Sequence, residues 1–179
     1  SILEKISAKK NLSSIASLVE NDGSNFNFNQ SVRSKLKLDS LGGEWTVDFS
    51  YNFIQSNTDQ TYNNTFFAGG LASKGSGNFT NDRDFLTYQT DYKKKRFGIT
   101  IEAGLKSSIL SFRNNANYQK DLNGIIVKDA FRTSAYTFKE QINAGYLQGS
   151  KTWGAVVLKV GTRVEQTIMQ GNQKIPSDT

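Results

Sequence analysis

The sequence predicts an all-β protein, an antiparallel up-and-down meander of about six long strands, and three observations carry that reading. Between Phe97 and Thr167, residues of one parity are apolar and those of the other are polar or glycine, over runs too long for an ordinary strand. Ile99, Ile101, Ala103 and Leu105 alternate with Thr100, Glu102, Gly104 and Lys106, and Val156, Leu158, Val160 and Val164 with Lys159, Gly161, Arg163 and Glu165. A period of two is a sheet with one apolar and one wet face. The composition agrees: 36% hydrophobic residues and a mean hydropathy of −0.52, yet 12% aromatics, 15 Gly and a single Pro, which suits long strands with polar connections. Finally, short turns and long polar stretches take turns along the chain.

In chain order, residues 1–24 give no clear element. Ile2, Ile6, Leu12, Ile15, Leu18 and Val19 could line a short amphipathic helix, but the serines and the Asn21-Asp22-Gly23 stop fit a loop or irregular strand equally. The segment 25–170 holds three hairpins. Phe26 to Asp39 alternates Phe26, Phe28, Val32, Leu36 and Leu38 with polar residues, turns at Ser40 to Gly43, and is answered by Glu44 to Gln55, with Trp45, Val47, Phe49, Tyr51 and Phe53 on one face. Ser56 to Asp84 is polar, glycine-bearing and aperiodic, and reads as a long loop. Phe85 to Tyr92, a turn at Lys93 to Arg96, and Phe97 to Phe112 form the second hairpin. Arg113 to Thr133 is a second long connection with a local turn at Asp121 to Gly124. Tyr136 to Gly149, a turn at Ser150 to Gly154, and Ala155 to Ile168 make the third hairpin, and residues 171–179 are a tail or loop.

Every tight turn therefore falls at one edge of the sheet and every long connection at the other. That asymmetry, with strands exceeding the roughly 9 to 11 residues that cross a bilayer when tilted, is the pattern of a transmembrane β-barrel. Trp45, Tyr51, Phe53, Tyr92, Phe97, Tyr146 and Trp153, near strand ends, are placed to serve as interfacial girdles. The predicted apolar face includes Trp45, Val47, Phe49, Phe53, Ile99, Ile101, Val156, Leu158 and Val160. The predicted lumen-facing polar residues are Asp48, Asn52, Glu102, Lys106, Lys139, Asn143, Lys159, Arg163 and Glu165.

The stretch Tyr136 to Leu147 (YTFKEQINAGYL), with Val160 to Thr167 (VGTRVEQT) and Asp91-Tyr92 followed by Glu102 to Lys106, resembles the outer membrane protein β-barrel branch of TonB-dependent receptors. In that family a phrase like F-K-E-x-I-N-A-x-Y, a short turn, and x-x-G-x-R-x-E-x-T mark neighbouring mid-barrel strands, and such matches cover most of Phe26 to Thr167. The resemblance implies a barrel of roughly 22 strands with a plug domain, located in the bacterial outer membrane and importing a bulky ligand by coupling to TonB. Its implied partners are outer-membrane lipid, the rest of the barrel and plug, TonB, and a transported ligand that the sequence does not name. No plug and no TonB-box segment is recognisable in this sequence. About six strands cannot close such a barrel, so the chain is expected to be a slice of a longer receptor. Taken alone, a sheet with two open edges and a bare apolar face is expected to self-associate.

The chemistry the sequence excludes sharpens this reading. With no Cys and no His there is no disulfide framework, thiol nucleophile, imidazole triad or Cys/His metal site. No catalytic constellation is present, so no enzymatic activity, cofactor or metal is expected. Glu102, Glu140 and Glu165 beside Lys106, Lys139, Lys159 and Arg163 read as cross-strand ion pairs rather than acid/base machinery. Asp82-Arg83-Asp84 lacks the spaced oxygen ligands of a calcium loop. Gly69-Gly70 and Gly75-Ser76-Gly77 lack the strand-then-helix context of a phosphate cradle, and read as flexible loop. The net charge of +6 is dispersed along polar faces without a basic-aromatic nucleic-acid motif, so no nucleic-acid partner is expected, and the run Lys93 to Arg96 reads as a solvated turn. The alternative function is a soluble β-sandwich or β-barrel binding module that presents its long loops to glycan or protein and buries its apolar face against a second sheet.

Overall fold

The computed structural model describes residues 2–7, 10–67 and 72–175. Among these, one antiparallel sheet holds β1 (Ile2–Ser7), β2 (Lys10–Lys37), β3 (Glu44–Phe67), β4 (Ser73–Arg96), β5 (Ile99–Leu122), β6 (Ile125–Lys128), β7 (Ser134–Trp153) and β8 (Val156–Lys174). Spatial order follows chain order from β1 to β5 and on through β7 to β8, while the short β6 pairs only with the end of β5. All six long strands read from the sequence are present, each paired with its chain neighbour, and no helix occurs among the described residues.

The strands are longer than their alternation suggests. Ser56 to Asp84 is not a loop: β3 runs on to Phe67 and β4 starts at Ser73, with ladder pairs from Ser56↔Asn81 to Asn64↔Ser73. Gly75 and Gly77 lie in β4, and Gly69-Gly70 fall outside the described residues. Arg113 to Thr133 is likewise mostly strand, as the end of β5 and the whole of β6. Most of residues 1–24 belongs to β1 and β2 rather than to a loop or helix, and β8 continues through Gly171 to Lys174; the rest of the predicted tail, 176–179, lies outside the described residues. A backbone ladder needs no apolar side chains. Here it is seconded by polar cross-strand pairs, with Ser17 donating to Asn64 at 2.7 Å, Ser56 to Asn25 at 2.6 Å, Gln60 to Asn21 at 2.9 Å and Asn78 to Asp59 at 2.7 Å.

The tight turns fall close to their predicted places. Between β2 and β3 the Asp39 carboxylate accepts from the amides of Leu41 and Gly43 at 2.9 and 2.8 Å, and Gly42 takes a φ of 91°. The β4–β5 turn is Phe97-Gly98, one step later than predicted, with both residues at positive φ (52° and 75°), as a two-residue hairpin turn of the primed type requires. Lys93 to Arg96 therefore ends β4 and is not a turn. Gly154, at φ 57°, opens the two-residue turn from β7 to β8.

Candidate functional site: two faces and an outer cluster

Because side chains alternate along each strand, the register sorts the chain into two faces. Leu36, Trp45, Tyr92, Ala103 and Leu147 form one cross-strand row, and Val32, Phe49, Tyr88 and Ser107 another. The whole predicted apolar set lies on this face, and it is uncovered: Val156 is 65% and Val160 67% exposed. On β5 the run Ile99 to Ile109, apolar on this face except at Ser107, whose hydroxyl donates to Asn143 of β7 at 2.7 Å, spans eleven residues, close to the ~9 to 11 that cross a bilayer. The next residues outward on the same face are Asp84, Ser111 and Lys139, then Asp82 and Arg113. An apolar band thus ends abruptly in charge. Leu110 to Leu122 carries β5 about 40 Å beyond it along the strand.

Girdle aromatics flank the band. Trp45, whose Nε1 donates to Thr90 at 2.8 Å, lies with Tyr92, Phe97 and Trp153 towards the turns, and Phe53 and Tyr51, whose hydroxyl donates to Asp84 at 2.7 Å, mark the other rim. Tyr146 departs from the expectation. It lies on the polar face, over the bare backbone of Gly104, and donates to Asp91 at 2.8 Å.

The polar face collects Asp48, Asn52, Glu102, Lys106, Lys159, Arg163 and Glu165. Asp48 pairs with Arg33, and Asn52 donates to Asn27 at 3.2 Å. Glu102 accepts from Gln148 and meets Lys93 at 3.5 Å, and Arg163 pairs with Glu165 at 2.6 Å along its own strand rather than across strands. Lys139 and Asn143 are on the opposite face, because β7 pairs Ser107 with Asn143 and Ser111 with Lys139. Both parities of β7 mix polar and apolar residues, so its sequence reads either way, and only the pairing with β5 fixes which side Tyr136, Phe138, Ile142 and Tyr146 take.

Beyond the band the polar face carries a small core that sequence reasoning missed. Tyr62, Ala116 and Tyr118 are buried, Phe79 packs edge-on to Tyr118 with ring centroids 5.1 Å apart, and the Arg132 guanidinium stacks 4.1 Å from the Tyr118 ring and 4.6 Å from that of Tyr62. Tyr118 lies over Gly77, where any side chain would collide with its ring, and its hydroxyl donates to Gln60 at 3.2 Å. The turn at Asp129 to Thr133 is tied to the backbone of Tyr118 through the Asp129 amide at 2.8 Å and the Thr133 hydroxyl at 3.0 Å. Both halves of this cluster fall in stretches read as loops. The one available signal was Gly75-x-Gly77-x-Phe79, a glycine pair at strand spacing leading into an aromatic.

A single-layer sheet with a bilayer-high apolar band on one face, ion pairs on the other and the β2–β3, β4–β5 and β7–β8 turns at one rim defines a membrane-spanning β-sheet protein. A family model described as the outer membrane protein beta-barrel family matches residues 36–179. The chain belongs to that family, whose description points to an outer-membrane location. No curated protein matches the chain. Among solved structures it is similar to the crystal structure of BauA, the ferric preacinetobactin receptor from Acinetobacter baumannii, at 10% identity and a TM-score of 0.34. The match covers 89% of this chain and 35% of that one.

Proposed function

We propose that the chain is part of the wall of a TonB-dependent outer-membrane receptor, with plug, TonB contact and the remaining wall strands supplied by the rest of that protein, and that it serves uptake of a bulky ligand rather than catalysis. The observation that carries this is the overhang. The six strands continue far past the apolar band and, with the turn at Asp129 to Thr133, display Tyr62, Phe79, Tyr118 and Arg132 on the lumen side, where cargo is first met. The outer segments 56–84 and 113–133 are its ligand-contact surface, as strand ends rather than loops. The test is uptake and surface binding by the whole receptor in cells with and without TonB, before and after trimming those segments. Uptake indifferent to TonB would remove the coupling, and binding indifferent to trimming would remove the contact surface.

The sandwich alternative needs a second sheet over the apolar face, and the described residues form one layer with that face open. Expressed by itself, the 179-residue sheet has β8 as a bare edge and its apolar band uncovered, so it self-associates in detergent-free buffer. Light scattering reports this directly, and a dilute monomer that binds no hydrophobic dye would count against the membrane reading.

A further inference from the structure

The net charge of the chain is not spread along it. Segments 33–48, 89–106 and 144–165, which the register makes the turn-proximal end, hold eleven Lys and Arg against six Asp and Glu; the remainder holds eleven against ten, so five of the six net positive charges sit at the turns. The register then divides these charges by face. The strand acids at that end, Glu44, Asp48, Asp91, Glu102 and Glu165, are all on the polar face, where Lys35 meets Glu44 at 2.9 Å and Lys93 meets Glu102. Three cations are on the apolar face instead. Arg96 and Lys151 flank Ile99 in one cross-strand row, and Lys94 sits beside Ile101 in the next. None of the three forms an ion pair among the described residues. Arg96 lies 4.9 Å from the Phe97 ring and Lys151 5.0 Å from that of Trp153, so both cations are held against girdle aromatics at the rim of the band.

We infer that Lys94, Arg96 and Lys151 form a binding site for the phosphate headgroup of an anionic phospholipid in the leaflet next to the tight turns. Two strand spacings separate Arg96 from Lys151 at Cα by about 10 Å, a gap that two long side chains can close around one phosphate. Ile99 and Leu158 share the row of Arg96 and Lys151, Ile101 shares that of Lys94, and Leu147, Leu105 and Val164 follow deeper on the same face to receive acyl chains. Acids are confined to the other face, so an incoming lipid phosphate meets cations without competing carboxylates. A cation near an anionic leaflet contributes about fivefold to partitioning, and three together about a hundredfold.

The test uses the protein as expressed in the outer membrane, extracted in mild detergent and reconstituted into vesicles of phosphatidylcholine alone or mixed with phosphatidylglycerol. Quenching of the Trp153 region by a headgroup-labelled phosphatidylglycerol reads occupancy. The wild type is expected to concentrate the anionic lipid, the Lys94→Gln/Arg96→Gln/Lys151→Gln variant to lose about a hundredfold, and the polar-face pair Lys93→Gln/Lys95→Gln to lose little. Heat-modifiable migration on a gel reports folding; if the triple variant fails it, Lys151→Gln alone carries the test with a loss of about fivefold. Unchanged retention in the apolar-face variant, an equal loss in the polar-face pair, or displacement of the lipid by inorganic phosphate alone would each overturn the site. None of these readouts depends on transport.

Discussion

The turn-proximal and outer halves of the sheet share the same six strands and are held by different forces. Near the turns the two faces are sharply unlike: one apolar and bare, the other laced with ion pairs such as Arg33–Asp48, Lys35–Glu44 and Lys93–Glu102. In the outer half both faces are polar, and cohesion comes from the backbone ladder, amide and hydroxyl pairs across strands, the ion pairs of Lys74 with Asp121 and of Arg113 with Asp82 and Asp84, and a cluster around Tyr118. Alternation is therefore a sign of the solvent on each side and not of the strand. Where lipid meets one face the period appears; where water meets both, the ladder persists without it.

The contrast is broken most severely by placing a charge in the band. Val47→Arg is expected to destabilise the membrane-inserted barrel by about 2–4 kcal/mol, while Thr46→Arg on the polar face should be tolerated. Urea unfolding in lipid vesicles measures both, and equal costs would show that the faces are misassigned. In the outer half Tyr118→Ala removes the Phe79 contact, the Arg132 stack and the Gln60 hydrogen bond together, and should cost about 2 kcal/mol. Hydrogen exchange should localise that loss to the ends of β4 and β5 and leave Ile99 to Ile109 protected; global deprotection would mean that the halves are not separable.

A smaller and opposite effect is expected at the turns. Phe97 holds a positive φ that disfavours a bulky residue, whereas the outer turn uses Asn123-Gly124 at 56° and 90° for the same geometry. Phe97→Asn should therefore stabilise the β4–β5 hairpin by about 1 kcal/mol, read as a raised denaturant midpoint, unless the Phe97 ring is needed as an interfacial anchor. The smallest effect is one of pH. At the outer turn the Asp121 carboxyl is held below its ordinary value, first by the Gly124 amide, which donates to it at 2.6 Å, and then by Lys74 at 3.1 Å. A depressed folded value stabilises at pH above the ordinary carboxylate range and is lost as pH falls through the folded value. The protection of the Gly124 amide, its exchange rate divided into the intrinsic rate at each pH, should fall below the usual carboxylate range in the wild type and be indifferent to pH in Asp121→Asn.

The sequence by itself determined the parts that depend on local chemistry. Period-two alternation named all six long strands and the apolar face from Trp45 to Val160, and Gly42 and Gly154 lie at the tight turns it placed because a positive φ there favours a residue without a Cβ, whereas Gly98 makes the β4–β5 turn that the sequence put at Lys93 to Arg96. What the chain could not announce locally, the pairing decided. The sides taken by Lys139, Asn143 and Tyr146 depend on which residues of β5 they face, and the outer strands through Ser56 to Asp84 and Arg113 to Leu122 exist because a neighbour offers a ladder to polar residues that show no period of their own. The Tyr62–Tyr118–Arg132 cluster joins residues far apart in the chain. Nothing in any one of these segments signals the others, so only the register that brings them to one face makes them a site.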